Sequence, residues 1–329
     1  MKIPPLYSLS EDLLALISKI EAERIYFSSL NLDGAIKENI QRVSLLKSSL
    51  FSARIEGNTL EISDFEFGNQ TEEEKKNEIF NIVKATNFID KDIKENALTQ
   101  ETILLLHSLV LMDISPDAGR FRTEVSAIFN QAGIAIYMTP PPSQISKLLD
   151  DLLIYMNSEK NFPLIAAFVA HLIFEKIHPF LDGNGRVGRL LVSAILKSKG
   201  WDFTLTVPFE EYLDEHKNEY YFHLDNGLKN TNEYLEFMLE AFLKQIGKIK
   251  ALIKAEIAKE LHPFLPPRQE EILNIIKDQV IVSFDMIRRR FIQVPERTLR
   301  YDLKKLLDRK LIEKSGETRG RYYRATRQI

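Results

Sequence analysis

Apolar residues recur at helical intervals along most of the chain. Leu13, Leu14, Leu16, Ile17 and Ile20 follow Ser8 and Glu11, which are spaced as a capping box, and predict a first helix. A second is predicted from Ala35 to Glu56, with Ile36, Ile40, Val43, Leu46, Leu50 and Ile55 apolar and Gly57 placed as its stop. Two more are predicted over 73–89 and 99–112. His107 lies on the apolar stripe of the latter and is read as a satisfied core histidine. After Gly119-Arg120-Phe121-Arg122 the period changes from helical to alternating. Val125 to Phe129, a turn over 130–133, and Ile134 to Met138 predict a short β-hairpin closed by Thr139-Pro140-Pro141-Pro142. A lone hairpin is marginal, so it must lie against other structure, and its free edge is a site for a partner strand or simply a surface flap.

Helical periodicity resumes over 144–157. Pro163 then stands at a first-turn position, and the run from Leu164 to Ile177 is apolar almost all round, which predicts a buried central helix. It delivers His178, and Pro179 stops it. A helix from Arg186 to Lys199 ended by Gly200 follows, then helices over 212–228 and 232–260. The tail predicts helices over 267–277, 283–291 and 295–309, then strands at 311–314 and 321–324 on either side of a Gly/Arg turn. These patterns predict a mainly α fold with one small hairpin flap, followed by a small α/β module. The predicted division is an N-terminal helical region over 1–100, a core over 101–250, a linker helix over 251–264 and a C-terminal domain over 265–329.

Charge is distributed unevenly. The net −3 of the 329 residues resolves into 16 Lys and Arg against 9 Asp and Glu from Leu265 onward, a net +7, which leaves −10 for the rest. There is no cysteine, so disulfides and thiolate chemistry are excluded. With no leader pattern and no apolar run of spanning length, the sequence predicts a cytoplasmic protein that does not enter a membrane.

The densest chemistry lies in His178-Pro179-Phe180-Leu181-Asp182-Gly183-Asn184-Gly185-Arg186-Val187-Gly188-Arg189. A glycine-flanked turn opening a helix offers free backbone N–H groups at the positive end of the dipole, an anion site. Arg186 and Arg189, read as first-turn residues, repel that end and each other unless an anion of several charges such as a polyphosphate occupies the gap. Asp182 beside a polyphosphate calls for a hard divalent cation, Mg2+ being the best fit. His178 is placed to act as general base for an incoming hydroxyl. A zinc site from His171, Glu175 and His178 falls on one helical face but lacks the His-Glu-x-x-His order, and His171 and Glu175 read better as buried structural partners. His262-Pro263-Phe264 repeats three motif residues without the glycine loop, so His262 receives no catalytic role. Glu56 is the other oddity. A carboxylate at a helix C-terminus is disfavoured by up to about 1 kcal/mol unless a cation compensates, so a solvated glutamate or an ion pair is expected there.

The twelve residues from His178 to Arg189 resemble the Fic family motif, His-Pro-Phe-x-(Asp/Glu)-Gly-Asn-Gly-Arg-x-x-Arg, at every specified position, and the similarity extends over roughly 6–243. The resemblance implies a helical Fic fold and transfer of AMP from ATP to a Ser, Thr or Tyr hydroxyl of a target protein. It implies that His178 deprotonates the hydroxyl and that Asp182 binds Mg2+. Gly183, Asn184 and Gly185 would hold α/β-phosphate oxygens, and Arg186 and Arg189 the β- and γ-phosphates. Phosphorylating relatives carry lysine where Gly185 stands, which favours AMP transfer. Ser52-Ala53-Arg54-Ile55-Glu56-Gly57 resembles the family's inhibitory motif, (Ser/Thr)-x-x-x-Glu-(Gly/Asn), and implies that Glu56 pairs with Arg189 and restrains the enzyme. Ile134, Ala135, Ile136, Tyr137 and Met138 resemble the flap that holds a target peptide. A dimer is implied by the resemblance alone. Removal of AMP with Glu56 participating is an open alternative.

The tail resembles a winged helix-turn-helix. Its recognition helix would begin at Pro295 and present Arg297, Thr298, Arg300, Tyr301 and Lys304, with Arg319 and Arg321 on the wing, for DNA. A protein-interaction surface is the alternative for this module. For the whole chain the rival reading is a DNA-binding regulator whose Fic body senses nucleotide without turnover.

Overall fold

A computed structural model describes residues 1–66, 73–93, 97–129, 135–201, 203–261, 265–279, 282–315 and 322–326, with the side chains of 258–261 and 315 left out. The chain forms two compact units, Met1–Ala255 and Glu256–Ile329.

The first unit opens with α1 (Glu11–Ser29) and α2 (Gly34–Ile55). The cap of α1 is Ser10, whose Oγ accepts from the Leu13 N–H at 3.2 Å, and not the predicted Ser8. Ser8 is drawn away by Asn232, which bonds its N–H and its C=O. α2 ends as its sequence predicts, with Gly57 at φ +107°, a conformation that glycine adopts without a Cβ penalty. A single-turn helix not foreseen from the pattern, α3 (Ser63–Glu66), precedes α4 (Glu73–Asp92) and α5 (Gln100–Val110). The hairpin follows as β1 (Ala127–Phe129) and β2 (Ala135–Met138), antiparallel, with Ile128 opposite Tyr137 and a bulge before Phe129. Ile134 and the turn residues 130–133 lie outside the described residues.

α6 (Pro142–Asn157), α7 (Pro163–Ile177) and α8 (Asn184–Ser198) build the centre. Every residue of α7 from Leu164 to Ile177 is buried, so this helix is the axis of the core. Burying each of its large apolar side chains contributes roughly 1.5–3 kcal/mol. α8 begins two residues earlier than predicted, which leaves Arg186 in the first turn and moves Arg189 to the second. Gly188 lets α7 and α8 approach closely, because a Cβ there would collide with the Glu175 carboxyl and stand 3.0 Å from His171 Nδ1. α9 (Phe209–Glu215) and α10 (Lys217–Asn226) replace the single helix predicted over 212–228, and α11 (Thr231–Leu261) closes the series.

α2 packs against α9 through an unusually polar face. Ser44, Ser48, Ser49 and Ser52 are buried along it. Lys47 pairs with Glu211 at 3.1 Å and Arg54 with Asp214 at 3.1 Å. Hydrophobic burial alone therefore does not hold this helix in place.

In the second unit, α12 (Pro267–Asp278), β3 (Val282–Ser283), α13 (Phe284–Arg290), α14 (Glu296–Asp308), β4 (Ile312–Ser315) and β5 (Tyr322–Ala325) follow in order. The strands form an antiparallel sheet in the order β3-β5-β4. Its core joins Ile272, Ile276, Ile287, Leu299, Leu303 and Leu306 to Val282 and Tyr323. β3, only two residues long, is too short for an alternating pattern to reveal. Among the described residues no helix is long and apolar enough to cross a membrane.

Glu175, Glu210 and His171 are among the ionisable groups buried in the first unit. Burial pushes the Glu175 carboxyl up to about 8, with the Glu56 charge adding to the effect, and the Glu210 carboxyl up to about 7. Burial also drives the His171 imidazole down to about 3. Above about pH 4.5, the unfolded chain releases carboxyl protons that the native chain keeps, so stability falls as pH rises through the native values of Glu175 and Glu210. His171 acts in the other direction. Below about pH 6.5 the unfolded imidazole takes up a proton that the native one refuses, so stability also falls toward acid. Unfolding free energies should therefore decline from about pH 6 to 8.5, and Glu175→Gln should remove on the order of 2–3 kcal/mol of that decline. Parallel denaturation profiles for the two proteins would show Glu175 already ionised at neutral pH.

Candidate active site

His178 caps the C-terminus of α7 in the left-handed region, at φ 50° and ψ 61°. A non-glycine residue there costs on the order of 1 kcal/mol, which surrounding contacts must offset. The turn after it is fixed from within. The Asn184 side chain accepts from the Phe180 N–H and donates to the Phe180 carbonyl, both at 2.9 Å. Asn184 thus presents its backbone N–H, not its amide, to any anion. Gly183 at φ +79° makes the last turn into α8. By helix geometry the N–H groups of Asn184, Gly185 and Arg186 lack intrahelical acceptors.

His107 holds this loop from below. It takes the Gly119 N–H on Nδ1 at 2.9 Å, so Nε2 carries the proton and donates to the Asp182 carbonyl at 3.0 Å. Its ring stacks on Phe180 with centroids 3.6 Å apart. The core role read for His107 is therefore the one it has.

Both motif arginines are buried. Arg189, 1 % exposed, donates from Nη2 to Glu56 Oε1 at 2.9 Å and to the Ser52 carbonyl at 2.8 Å, and from Nε to Ser52 Oγ at 3.0 Å. The cation compensating Glu56 at the end of α2 is thus Arg189, which serves an orphan carbonyl of the same helix end. Lys217 and Tyr221, both of α10, cap the carbonyls of Arg54 and Ile55 at 3.4 and 3.2 Å. Burial works against the Arg189 charge, but Glu56 together with Tyr220, Glu175 and Tyr221 outweighs it and keeps the guanidinium protonated. The Glu56 carboxylate lies over Gly185 so closely that a Cβ at Gly185 would collide with it. Arg186 turns elsewhere. It pairs with Glu78 of α4 and donates from Nη2 to both oxygens of Asp182 at 2.8 Å. Burial raises Asp182, yet the Arg186 guanidinium prevails and keeps its carboxyl below the ordinary value.

A pocket of about 810 Å3 opens beside these groups. Glu56, Gly185 and Arg189 line one part of it, His178 and Glu175 another, and Tyr220, Tyr221 and Asp225 of α10 a third. Ala127, Ile128 and Ile136 of the hairpin also reach it, so the hairpin lies against the pocket. Tyr137 of β2 places its ring 4.9 Å from Lys176 Nζ, and Lys176 pairs with Asp225 at 3.5 Å. Burial lowers the His178 imidazole below its ordinary value, which keeps it neutral and able to accept a proton near pH 7. Its Nδ1 faces the Glu175 carbonyl at 3.3 Å.

Asp182 suits a divalent cation bound jointly with phosphate oxygens. Its carboxylate is 64 % exposed, its charge is retained, and Mg2+ commonly takes one or two protein carboxylates and fills the remaining positions with water and phosphate. His171 and Glu175 are buried 3.9 Å apart, with Tyr220 2.9 Å from the other imidazole nitrogen. Among the described residues no three His, Cys, Asp or Glu groups converge as a metal site.

In the second unit Arg297, Arg300, Tyr301 and Lys304 are exposed on α14 and Thr298 is half-buried. Arg300 is already engaged, its guanidinium 3.9 Å from the Phe284 ring centre and 3.7 Å from Glu296. Arg319, Arg321 and His262 lie outside the described residues. Sequence reading missed Glu78, Lys176 and Tyr220, which reach the site from α4, α7 and α10, as well as Arg122. The only sequence signal for Arg122 was its place beside Gly119 where the helical period ends.

Residues 97–196 match the model of the Fic/DOC family. Proteins named "Protein adenylyltransferase Fic" are similar to this chain. The one from Aedes aegypti is 26% identical over 219 residues, 63% of this chain and 42% of its own length. That from Nematostella vectensis is 27% identical over 243 residues, 68% of this chain and 52% of its own length. The matched region is thus about half, or less, of these relatives. A crystal structure of a Fic family protein from Desulfovibrio desulfuricans G20 superposes with a TM-score of 0.67 at 22% identity, over 99% of both chains. Fic-1 (aa134 - 508) from C. elegans gives 0.60 at 24% identity, over 75% of this chain and 73% of that one. The stretch that matches the Fic/DOC model includes the loop from His178 to Arg189, and the mainly helical fold is shared with these solved structures.

Proposed function

We propose that this chain transfers AMP from ATP to a hydroxyl side chain of a target protein and that Glu56 restrains the transfer. The observation that carries the reading is the Glu56–Arg189 pair, standing at the start of α8 in the same pocket as His178 and the hairpin. The adenylyltransferase names of the relatives support the reaction class.

In this reading the α- and β-phosphates of ATP lie at the first turn of α8, where the N–H groups of Asn184, Gly185 and Arg186 and the helix dipole favour negative charge. The target hydroxyl oxygen attacks the α-phosphorus as its proton passes to neutral His178, and the bond to the β-phosphate oxygen breaks. Arg186 and Arg189 stabilise the departing pyrophosphate as its charge develops. Asp182 would hold a magnesium ion, which when bound neutralises part of the phosphate charge. β2 offers its backbone edge to an extended target segment, with Ile136 and Met138 exposed along it. With Glu56 on Arg189, the cation that would clamp the γ-phosphate is taken, and ATP cannot align for in-line attack.

We read residues 1–100 as the helical region carrying the restraint, 101–250 as the catalytic core, 251–264 as a linker and 265–329 as a winged helix-turn-helix that binds DNA. The helix order and the β3-β5-β4 sheet support the last assignment, as does the exposure of Arg297, Tyr301 and Lys304 on α14.

Glu56→Gly should raise incorporation of labelled AMP into protein, and adding His178→Ala should lower it by about 10²–10⁴-fold. Absence of incorporation in both would sink the reading. Arg189→Ala should lower activity in the Glu56→Gly background as well, and full activity there would refute the role of Arg189 as clamp. For the second unit, the full chain should be retained on duplex DNA at low salt and released as salt rises, with weaker retention after Arg297→Ala and Lys304→Ala. No retention at low salt would leave the module a protein-interaction surface.

A further inference from the structure

Arg122 is 3 % exposed, yet among the described residues its guanidinium bonds to carbonyls and to no carboxylate. Its guanidinium is spent on backbone carbonyls. Nε donates to the His178 carbonyl at 2.8 Å, and Nη2 to that of Ile177 at 3.4 Å. Nη1 donates to the Glu124 carbonyl at 2.7 Å and Nη2 to that of Pro140 at 2.6 Å. Its own N–H donates to the Pro179 carbonyl at 2.9 Å. Glu124 precedes β1 and Pro140 follows β2, so one side chain ties both roots of the hairpin to Ile177 and His178 at the end of α7, and the backbone N–H of the same residue adds Pro179.

This arrangement requires a planar fork with five donors, which arginine has and lysine lacks. It also explains how His178 keeps a left-handed backbone, since the carbonyl aimed outward by that conformation accepts the Arg122 Nε–H. Among the described residues the hairpin has few other hydrogen-bonded anchors at its base. Thr139 closes it internally through its N–H and Oγ, both donating to the Ser126 carbonyl. Another tie among the described residues lies farther along β2, between Tyr137 and Lys176.

We infer that Arg122 is a positioning residue that sets the distance and register between the hairpin and His178, so that a strand held by the hairpin presents its hydroxyl to the imidazole. The kinetic consequence rests on the AMP-transfer reading, whereas the mechanical one does not. Arg122 touches no substrate in this scheme and acts through two backbones.

The test uses the full Glu56→Gly chain with Arg122→Lys, which keeps the charge but loses the fork, and with Arg122→Gln. Pyrophosphate release from ATP and Mg2+, with the chain itself as acceptor, should show kcat lowered by about 10–100-fold and KM for ATP within about twofold, as expected when only alignment of the reacting groups is lost. Hydrogen exchange should accelerate by about tenfold or more in peptides covering 123–129 and 176–182, while α6 and α11 stay protected. Unchanged kcat in an active background, or an equal rise in KM for ATP, would overturn the inference. So would unchanged exchange at the hairpin roots in folded Arg122→Lys. If the Glu56→Gly chain itself releases no pyrophosphate, the proposed function fails, and hydrogen exchange alone decides whether Arg122 ties the hairpin to His178. Should Arg122→Gln lose protection throughout the first unit, Arg122→Lys decides the matter, because its retained charge spares the core an uncompensated deletion.

Discussion

The site depends on a guanidinium buried where water cannot solvate it. Arg189 reaches across from α8 to α2 and finds there a carboxylate, a hydroxyl and a helix-end carbonyl. Each partner is incomplete without it. Glu56 would otherwise sit at the unfavourable end of a helix dipole, and the Ser52 carbonyl would lack a donor. Arg189 is buried while Glu56 is about one third exposed, so removing Glu56 leaves a buried cation without its counter-charge, a destabilising state. Any ligand that replaces Glu56 on Arg189 must therefore bring comparable negative charge, and a terminal phosphate meets that requirement.

The same logic of compensation runs through neighbouring contacts. Arg186, flanked by Glu78 and Asp182, is neutralised without a ligand, whereas Arg189 is neutralised by a group on a separate helix. The two arginines of one motif thus have different freedom. Arg186 is held to its loop and to α4, while the partner of Arg189 is a partly exposed C-cap side chain of α2 that can rotate away or move with that helix end. That end of α2 buries Leu50, Ala53 and Ile55 but also rests on serines, ion pairs and side-chain caps from α10, contacts that water can replace more readily than packed aliphatic groups.

The main outline was legible because its punctuation is local. Pro163, Pro179, Gly57 and Gly200 mark helix ends through backbone constraints that hold in any context, and the all-round apolar run of α7 announces its burial. Ser8 and Ser10 could not be separated, since both offer a hydroxyl near a helix start and only the distant Asn232 decides between them. The break between α9 and α10 at His216 has no proline or glycine to signal it. At the site, the motif residues were legible as chemistry, and the need of Glu56 for a cation followed from the dipole. Glu78 was not legible, because it meets Arg186 across 108 positions of sequence. Arg122 was hidden for another reason. Its acceptors are carbonyls, which every residue carries, so no pattern of side chains points to them.

His178 answers two demands at once. Its backbone has a handedness that glycine adopts freely and that asparagine, aspartate and histidine tolerate better than other residues, while its ring has to carry a proton. Alanine at this position removes the imidazole and also meets the steric penalty of the turn, so the variant mixes lost chemistry with a displaced loop. Asparagine tolerates the turn and cannot act as a base. The difference between those two substitutions separates the architecture of the loop from the proton chemistry that it holds in place.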